Sequence, residues 1–288
     1  MPEPRRIYED NHIIVVDKPA GMATMGADPN APSLHRWLCG DIKRRYQKPG
    51  KVFLGVVSRL DRDTTGVIVL ARTSKAASRL TPQFGAASTT HGRSKAKAKN
   101  EWPPAVKSYL AIVQNTGAVK SISAGEHYGW IDRVRKNEAR RRMETIGRSI
   151  TQTVDSHWMP GMPGASATSD VTGTPVDGGR DDGQRAVSRV EVVQTHGPWA
   201  LLRIRLFTGR KHQIRLQSAA RGLPIVGDSI YGDAPPQLRP NDHRPALALH
   251  CERLVITHPT HRTSQPYQAP PPRSWQTLMQ EINLRRNV

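Results

Sequence analysis

The chain has 288 residues, a length that suits one large domain or two ordinary ones, and its 43 lysines and arginines against 24 aspartates and glutamates give a formal charge of +19. Hydrophobic residues make up 36% and aromatics 5%, enough to bury a core at this length yet leaving much polar loop. No apolar run approaches the roughly 20 residues of a membrane span, which argues against an integral membrane protein, while charge this positive points to a polyanion, nucleic acid foremost.

The two cysteines, Cys39 and Cys251, lie far apart and lack metal-ligand spacing, so neither a zinc module nor a disulfide scaffold is expected. Met1 to Asp10 carries charges of both signs and no apolar run, so no secretory signal is expected and a reduced, cytoplasmic setting is the default.

In chain order, His12 to Val16 is a β-branched run closed by Asp17-Lys18-Pro19-Ala20-Gly21, a predicted strand ending in a turn. Ser33 can cap a helix through Leu34, Trp37, Leu38 and Ile42. Val52 to Val57 and Val67 to Ala71 read as buried strands around a polar turn, followed by a helix from Ser74 to about Phe84. Residues 85–104, with Arg93, Lys95, Lys97 and Lys99, have no apolar period, and residues 157–182 are rich in Gly, Pro, Ser and Thr; both are predicted to be flexible insertions. Between them, Lys107 to Gln114 reads as a strand and Asp132 to Arg142 is strongly basic. Ala186 to Gln194 and Trp199 to Phe207 form a predicted strand pair, joined at His196-Gly197-Pro198. Lys211 to Arg221 reads as a helix with Gly222 beyond its end, Ala246 to His250 and Leu254 to Thr257 as two short strands, and Ser274 to Ile282 as a closing helix. Strands outnumber helices and are irregularly spaced, which favours an α+β fold over a doubly wound sheet.

Three stretches carry chemistry. Ser58-Arg59-Leu60-Asp61-Arg62-Asp63-Thr64-Thr65-Gly66 sits between two apolar strands, a rigid mount for a reactive group. Its two carboxylates and two guanidiniums fit either an active carboxylate or a self-neutralising turn. In Thr208-Gly209-Arg210-Lys211-His212-Gln213-Ile214-Arg215, a turn opens a helix whose cations Lys211, His212 and Arg215 share faces at spacings of four and three. Cations at a helix N-terminus oppose the macrodipole, so this pattern calls for an anion or a buried carboxylate as partner; an ordinary basic surface helix is the alternative. In Lys107-Ser108-Tyr109-Leu110-Ala111-Ile112-Val113, alternation puts Lys107 and Tyr109 on one strand face, where a tyrosine can stack on a base or simply fill a core. Asp61-Arg62-Asp63-Thr64-Thr65 also matches the DxDxT of Mg²⁺-dependent aspartate phosphohydrolases, with Gly227-Asp228 and Asp233 as a downstream acidic motif, but the βα crossovers such a fold needs are missing from the pattern.

Together and in this order, the stretches resemble the RluA family of RNA pseudouridine synthases: Arg59-Leu60-Asp61 with Thr64-Thr65-Gly66, Lys107 to Val113, Thr208 to Arg215, and Pro224 to Asp228 with Tyr231-Gly232. Ile7 to Asp10 and Val16 to Gly21 resemble the family's opening, Leu249-His250 and Thr257-His258-Pro259 its close. The resemblance implies isomerisation of uridine to pseudouridine in ribosomal or transfer RNA, with no metal or organic cofactor. It implies Asp61 as nucleophile toward C1′ or the base, Arg215 as its ion-pair partner, and Tyr109 stacked on the uracil and assisting proton removal from C5. Arg59 would brace the space left by a flipped uridine, and Arg62, Lys107, Arg210 and His212 would bind substrate RNA. The implied fold is a mixed, largely antiparallel sheet in two halves with a central active-site cleft. It would form one catalytic domain over residues 1–288, without a separate N-terminal RNA-binding module, acting as a monomer. Ser58, Thr65 and Gln217 depart from the family's usual His, Ser and His. A non-catalytic RNA-binding or ribosome-assembly protein on the same fold is the alternative function.

Overall fold

Ile13-Ile14-Val15-Val16 is the first segment whose side chains are all buried, and β-branching on both faces suits it to a strand covered on both sides. The computed structural model describes residues 3–26, 32–85, 102–117, 122–138, 142–153, 183–232 and 246–284. Both predicted insertions fall outside these residues, apart from 85 and 102–104. The chain forms two compact units: Met1–Ser108 with Leu249–Pro272, and Tyr109–Ala248 with Arg273–Val288.

In the first unit, β1 (Arg5–Glu9), β2 (Ile13–Lys18), β4 (Thr65–Ala71) and β10 (Leu249–Thr257) lie in that order. β3 (Gly55–Val56) pairs with β4, and β11 (Ser264–Gln268) with β10. The named pairings are antiparallel except for β10 on β4, which is parallel. Every residue of β4 is buried. β2 occupies one edge of β4 from Gly66 to Ala71; β10 pairs with Thr65 and Gly66, and β3 runs antiparallel to the far end, Gly55 opposite Ala71 and Val56 opposite Leu70. In this register Val52 to Leu54 fall beyond Ala71, where β4 ends, so most of the strand expected over Val52 to Val57 has no partner and only two residues pair. The two short strands expected near the C-terminus are one continuous β10, in which half-buried Glu252 lies between the residues paired with β4 and those paired with β11.

Helix α1 (Leu34–Arg45) begins where Ser33 accepts a hydrogen bond from the Arg36 backbone N–H, buries Leu34, Leu38 and Ile42, and ends in Lys43, Arg44 and Arg45, which suit its negative terminus. Helix α2 (Ser74–Gly85) is fastened to the end of β10 by the buried Gln83, whose amide donates to the Thr257 carbonyl and accepts from its N–H, both at 2.8 Å.

The second unit's strands run β5 (Val106–Gln114), β9 (Trp199–Leu206), β8 (Gln184–His196), β6 (His127–Asn137), β7 (Arg142–Thr153), with β9/β8, β8/β6 and β6/β7 antiparallel. Of the basic stretch from Asp132, the part up to Asn137 lies in β6, and Arg142 opens β7 opposite Asn137. Helix α3 (Gln213–Ala219) is shorter than predicted: His212 sits in the left-handed region at φ 55°, so Lys211 precedes the helix and does not share a helical face with Arg215. Helix α4 (Arg273–Glu281) buries Trp275, Leu278 and Met279. Few helices and a mixed, mostly antiparallel set of strands make this an α+β fold, as the element pattern predicts.

Gly66 is fixed by geometry twice over. Its φ is +109°, and a Cβ there would lie 2.2 Å from the Cys251 carbonyl oxygen across the parallel ladder. Gly66→Ala is expected to destabilise the protein by at least about 3 kcal/mol, read as a fall in thermal midpoint, or to prevent soluble expression.

Candidate active site

Asp61 lies on the turn between β3 and β4, half-buried between exposed Arg59 and Arg62 and next to buried Leu60. The backbone is clamped on both sides of it. Before it, the Thr24 hydroxyl donates to the Leu60 carbonyl at 2.8 Å and accepts from the Leu60 N–H at 3.1 Å. After it, the ammonium of Lys18 donates to the Arg62 carbonyl at 2.9 Å, and also to the carbonyls of Pro19 (2.9 Å) and Met22 (2.8 Å). Arg62 reaches back through Nε to the Gly21 carbonyl at 3.2 Å. A loop that would otherwise leave carbonyl groups unsatisfied is thus tied to the turn after β2.

Lys18 is fully buried, and burial pulls its pKa down to about 7 against the opposing pull of Asp63, Asp61 and Asp17. Three donated protons require the ammonium form. In the sequence Lys18 reads only as part of a turn; the structure places it opposite Gly66, at the buried end of β2.

Behind the loop, Thr65 hydrogen-bonds the buried His250 at Nδ1 (2.8 Å), whose Nε2 faces the Ala269 carbonyl at 2.9 Å. A carbonyl can only accept, so Nε2 carries the proton and Thr65 donates to Nδ1. Desolvation lowers the His250 pKa and keeps the ring neutral.

Lys107 is half-buried with its ammonium 5.8 Å from the Phe84 ring centre, and desolvation lowers its pKa. Among the described residues, Asp10, His258 and His261 bring potential metal-ligand atoms within 4.8 Å of one another. Their hydrogen bonds use them otherwise. His258 Nδ1 accepts from the backbone N–H groups of Thr260 and His261, which leaves the proton on Nε2 to reach Asp10 at 2.9 Å. Asp10 also accepts from Tyr8 and from the N–H groups of His12 and Ile13. The His258 and His261 rings stack at 4.3 Å and 27°, so their in-plane lone pairs run side by side rather than converging. The cluster closes the first unit mechanically.

In the second unit, Tyr109 is buried in β5. Arg215, in α3, is also buried, and its fork meets Asp228: Nε to Oδ2 at 2.8 Å and Nη2 to Oδ1 at 2.7 Å. This is the buried carboxylate that a cation opposing the helix dipole calls for. Asp228 Oδ1 also accepts from the N–H groups of Ile230 and Tyr231, and these bonds hold its pKa below the usual carboxylate range despite burial. The turn so formed places the Tyr231 ring 5.4 Å below the Arg215 guanidinium. The Tyr231 hydroxyl accepts from the Met143 N–H at 3.2 Å and lies 3.0 Å from His212 Nδ1. One motif, Gly227-Asp228 to Tyr231-Gly232, therefore orients both Arg215 and His212.

Gln213 shapes the turn before the helix. Its carbonyl oxygen accepts from Thr208 Oγ1 and the Arg210 N–H, and its amide donates to the Val187 carbonyl and Ser188. Arg210 Nε donates to the Arg185 carbonyl at 3.0 Å. Gln217, where the family commonly has His, donates to Asp132 at 2.7 Å and accepts from Ser188 at 2.6 Å; Asp132 in turn takes both Nη atoms of Arg221 at 2.9 Å. An amide both donates and accepts whatever the pH, which this closed buried network needs.

The site residues thus divide: Arg59, Asp61, Arg62 and Lys107 in the first unit, Tyr109, Arg210, His212 and Arg215 in the second. A family model described as RNA pseudouridylate synthase matches residues 12–220. The chain belongs to this family. It is similar to ribosomal large subunit pseudouridine synthase D of Xanthomonas campestris, at 29% identity over 96% of this chain and 68% of that one. The protein of the same name from Pseudomonas aeruginosa is 27% identical over 95% and 70% of the two chains. The solved structure of human RNA pseudouridylate synthase domain containing 4 shares the fold, with a TM-score of 0.63 at 20% identity over 97% of this chain and 93% of that one. The chain is accordingly an isomerase that acts on RNA, and the RluA resemblance holds. Among the described residues, no helix is long and apolar enough to cross a membrane.

Two substitutions test these supports. Lys18→Met removes three hydrogen bonds to carbonyls and is expected to lower the thermal midpoint by several degrees, at about 1–3 kcal/mol for each acceptor left buried. It should lower kcat while leaving RNA affinity near wild type. Asp228→Asn leaves the Arg215 charge buried without its counter-charge and is expected to cost about 3–5 kcal/mol. Because the Asp228 pKa is depressed in the fold, its contribution is present above the ordinary carboxylate range and is lost as pH falls below it. Acid unfolding curves of the Asn variant should lack that component.

Proposed function

We propose that this synthase isomerises uridine to pseudouridine in ribosomal or transfer RNA with Asp61 as nucleophile, as a cytoplasmic monomer. The observation that carries the assignment is the double clamp on Leu60 and Arg62, which fixes the backbone on both sides of a carboxylate left half-exposed between two exposed arginines. A carboxylate is ionised near neutral pH and can form a covalent adduct. The N1–C1′ bond breaks, the uracil turns, C5 bonds to C1′, and the C5 proton leaves as N1 gains one, so the product is an isomer and no cofactor is consumed.

Arg215 acts as counter-ion to Asp61 in this scheme. Its bidentate hold on Asp228 supports the role, since it sets the plane of the guanidinium before substrate arrives. Tyr109 stacks on the uracil and assists removal of the C5 proton. A base inside a stacked helix must be extruded first, and Arg59 then braces the vacated space. Arg62, Lys107, Arg210 and His212 engage the surrounding RNA. The names of the relatives favour large-subunit ribosomal RNA as the first substrate to try.

Pseudouridine mapping at nucleotide resolution, on RNA from cells with and without the gene, tests the proposal. A uridine should lose its modification without the gene and regain it with wild type but not with Asp61→Asn, which retains RNA binding. Restoration by Asp61→Asn overturns the nucleophile assignment. A map unchanged by loss of the gene favours a non-catalytic RNA-binding protein on this fold.

A further inference from the structure

The strands β6, β8 and β9 have two faces of different character. One carries Trp130, Asp132, Ala186 and Ser188 and is bonded to α3 through Gln217. On the other, cross-strand partners follow ordinary sheet logic at two places: Glu191 stands opposite Arg203, with an ion pair at 3.4 Å, and Glu144 opposite Arg135, at 2.8 Å. Between these lie two rungs that break it. Arg133 stands opposite Arg185, and Arg189 opposite Arg205. Like charges directly opposite in an antiparallel pair are destabilising. Among the described residues, no carboxylate pairs with Arg185, Arg189 or Arg205. Their charge is felt: desolvation and the neighbouring Arg189 lower the pKa of Arg205.

The rungs are four residues apart on β8, about 13 Å. Half-buried Phe207 lies between them in space, with its N–H on the Val187 carbonyl and the Arg205 guanidinium 5.2 Å from its ring centre. Two dicationic rungs flanking a partly exposed aromatic ring make a surface for a phosphodiester strand, with the rungs on phosphates and the ring on a base or ribose. We propose that this face binds a segment of the substrate RNA, held by the Arg133–Arg185 and Arg189–Arg205 rungs with Phe207 as a stacking seat. The inference rests on RNA being the substrate and adds a contact surface beyond the reacting uridine.

The test uses Arg189→Glu, which places a carboxylate opposite Arg205 as Glu191 stands opposite Arg203. Binding of the full chain to a labelled single-stranded oligouridine is followed by fluorescence anisotropy across about 50–200 mM salt. Arg189→Glu should raise Kd at least about tenfold and flatten the slope of log Kd against log salt by about one, with an unchanged or higher thermal midpoint. Phe207→Leu should weaken binding without changing the slope. Wild-type Kd and slope in Arg189→Glu overturn the proposal and leave the rungs to an acidic protein surface; weaker binding accompanied by a lower thermal midpoint also overturns it, by marking the rungs as structural. Asp61→Asn measured alongside separates the two ideas: its loss of modification with unchanged Kd speaks to the nucleophile alone.

Discussion

A buried cation is tolerated when its protons are donated to fixed acceptors, and that constraint organises both units of this synthase. Lys18 meets it with three carbonyls, one of them in the turn that carries Asp61. Arg215 meets it with both oxygens of Asp228, Arg221 with both oxygens of Asp132. In each case the cation satisfies polar groups from a distant part of the sequence, so long-range geometry is fixed by bonds that are directional as well as by packing. A lysine or arginine is the economical choice because one side chain serves several acceptors at once.

The same constraint explains which parts of the site were legible in the sequence. Arg215 announced a hidden partner because its charge opposes the helix dipole, and Asp228 is that partner, thirteen residues away. Lys18 announced nothing: Asp-Lys-Pro-Ala-Gly has the composition of a surface turn, and only three-dimensional placement of Met22 and Arg62 shows where its protons go. His212 looked like a helical residue sharing a face with Arg215; its left-handed backbone instead turns the chain into the helix, held by Tyr231.

Strands covered on both faces were readable from unbroken apolar runs, Ile13 to Val16 in β2 and Val67 to Ala71 in β4. β1, β6, β7 and β11 were not, since each is mostly charged or polar and depends on a neighbour for its register. The shortening of β3 has another origin. No local pattern says that β4 ends at Ala71, opposite Gly55, so that the residues before Gly55 run past it. Where a partner strand ends is a property of the sheet, and a single segment cannot encode it.

The phosphohydrolase-like spelling of the sequence shows why counter-ions decide what a carboxylate can do. Asp61-Arg62-Asp63-Thr64-Thr65 and Gly227-Asp228 could hold Mg²⁺ if their oxygens faced a common space with lone pairs to spare. Asp228 instead gives both oxygens to Arg215 and one of them to two backbone N–H groups as well. The Asp61 turn is built over the Lys18 ammonium, whose positive charge opposes a divalent cation. The letters alone are compatible with metal-assisted phosphate chemistry. The partners the fold supplies commit Asp228 to Arg215 and suit the nucleophile role proposed for Asp61.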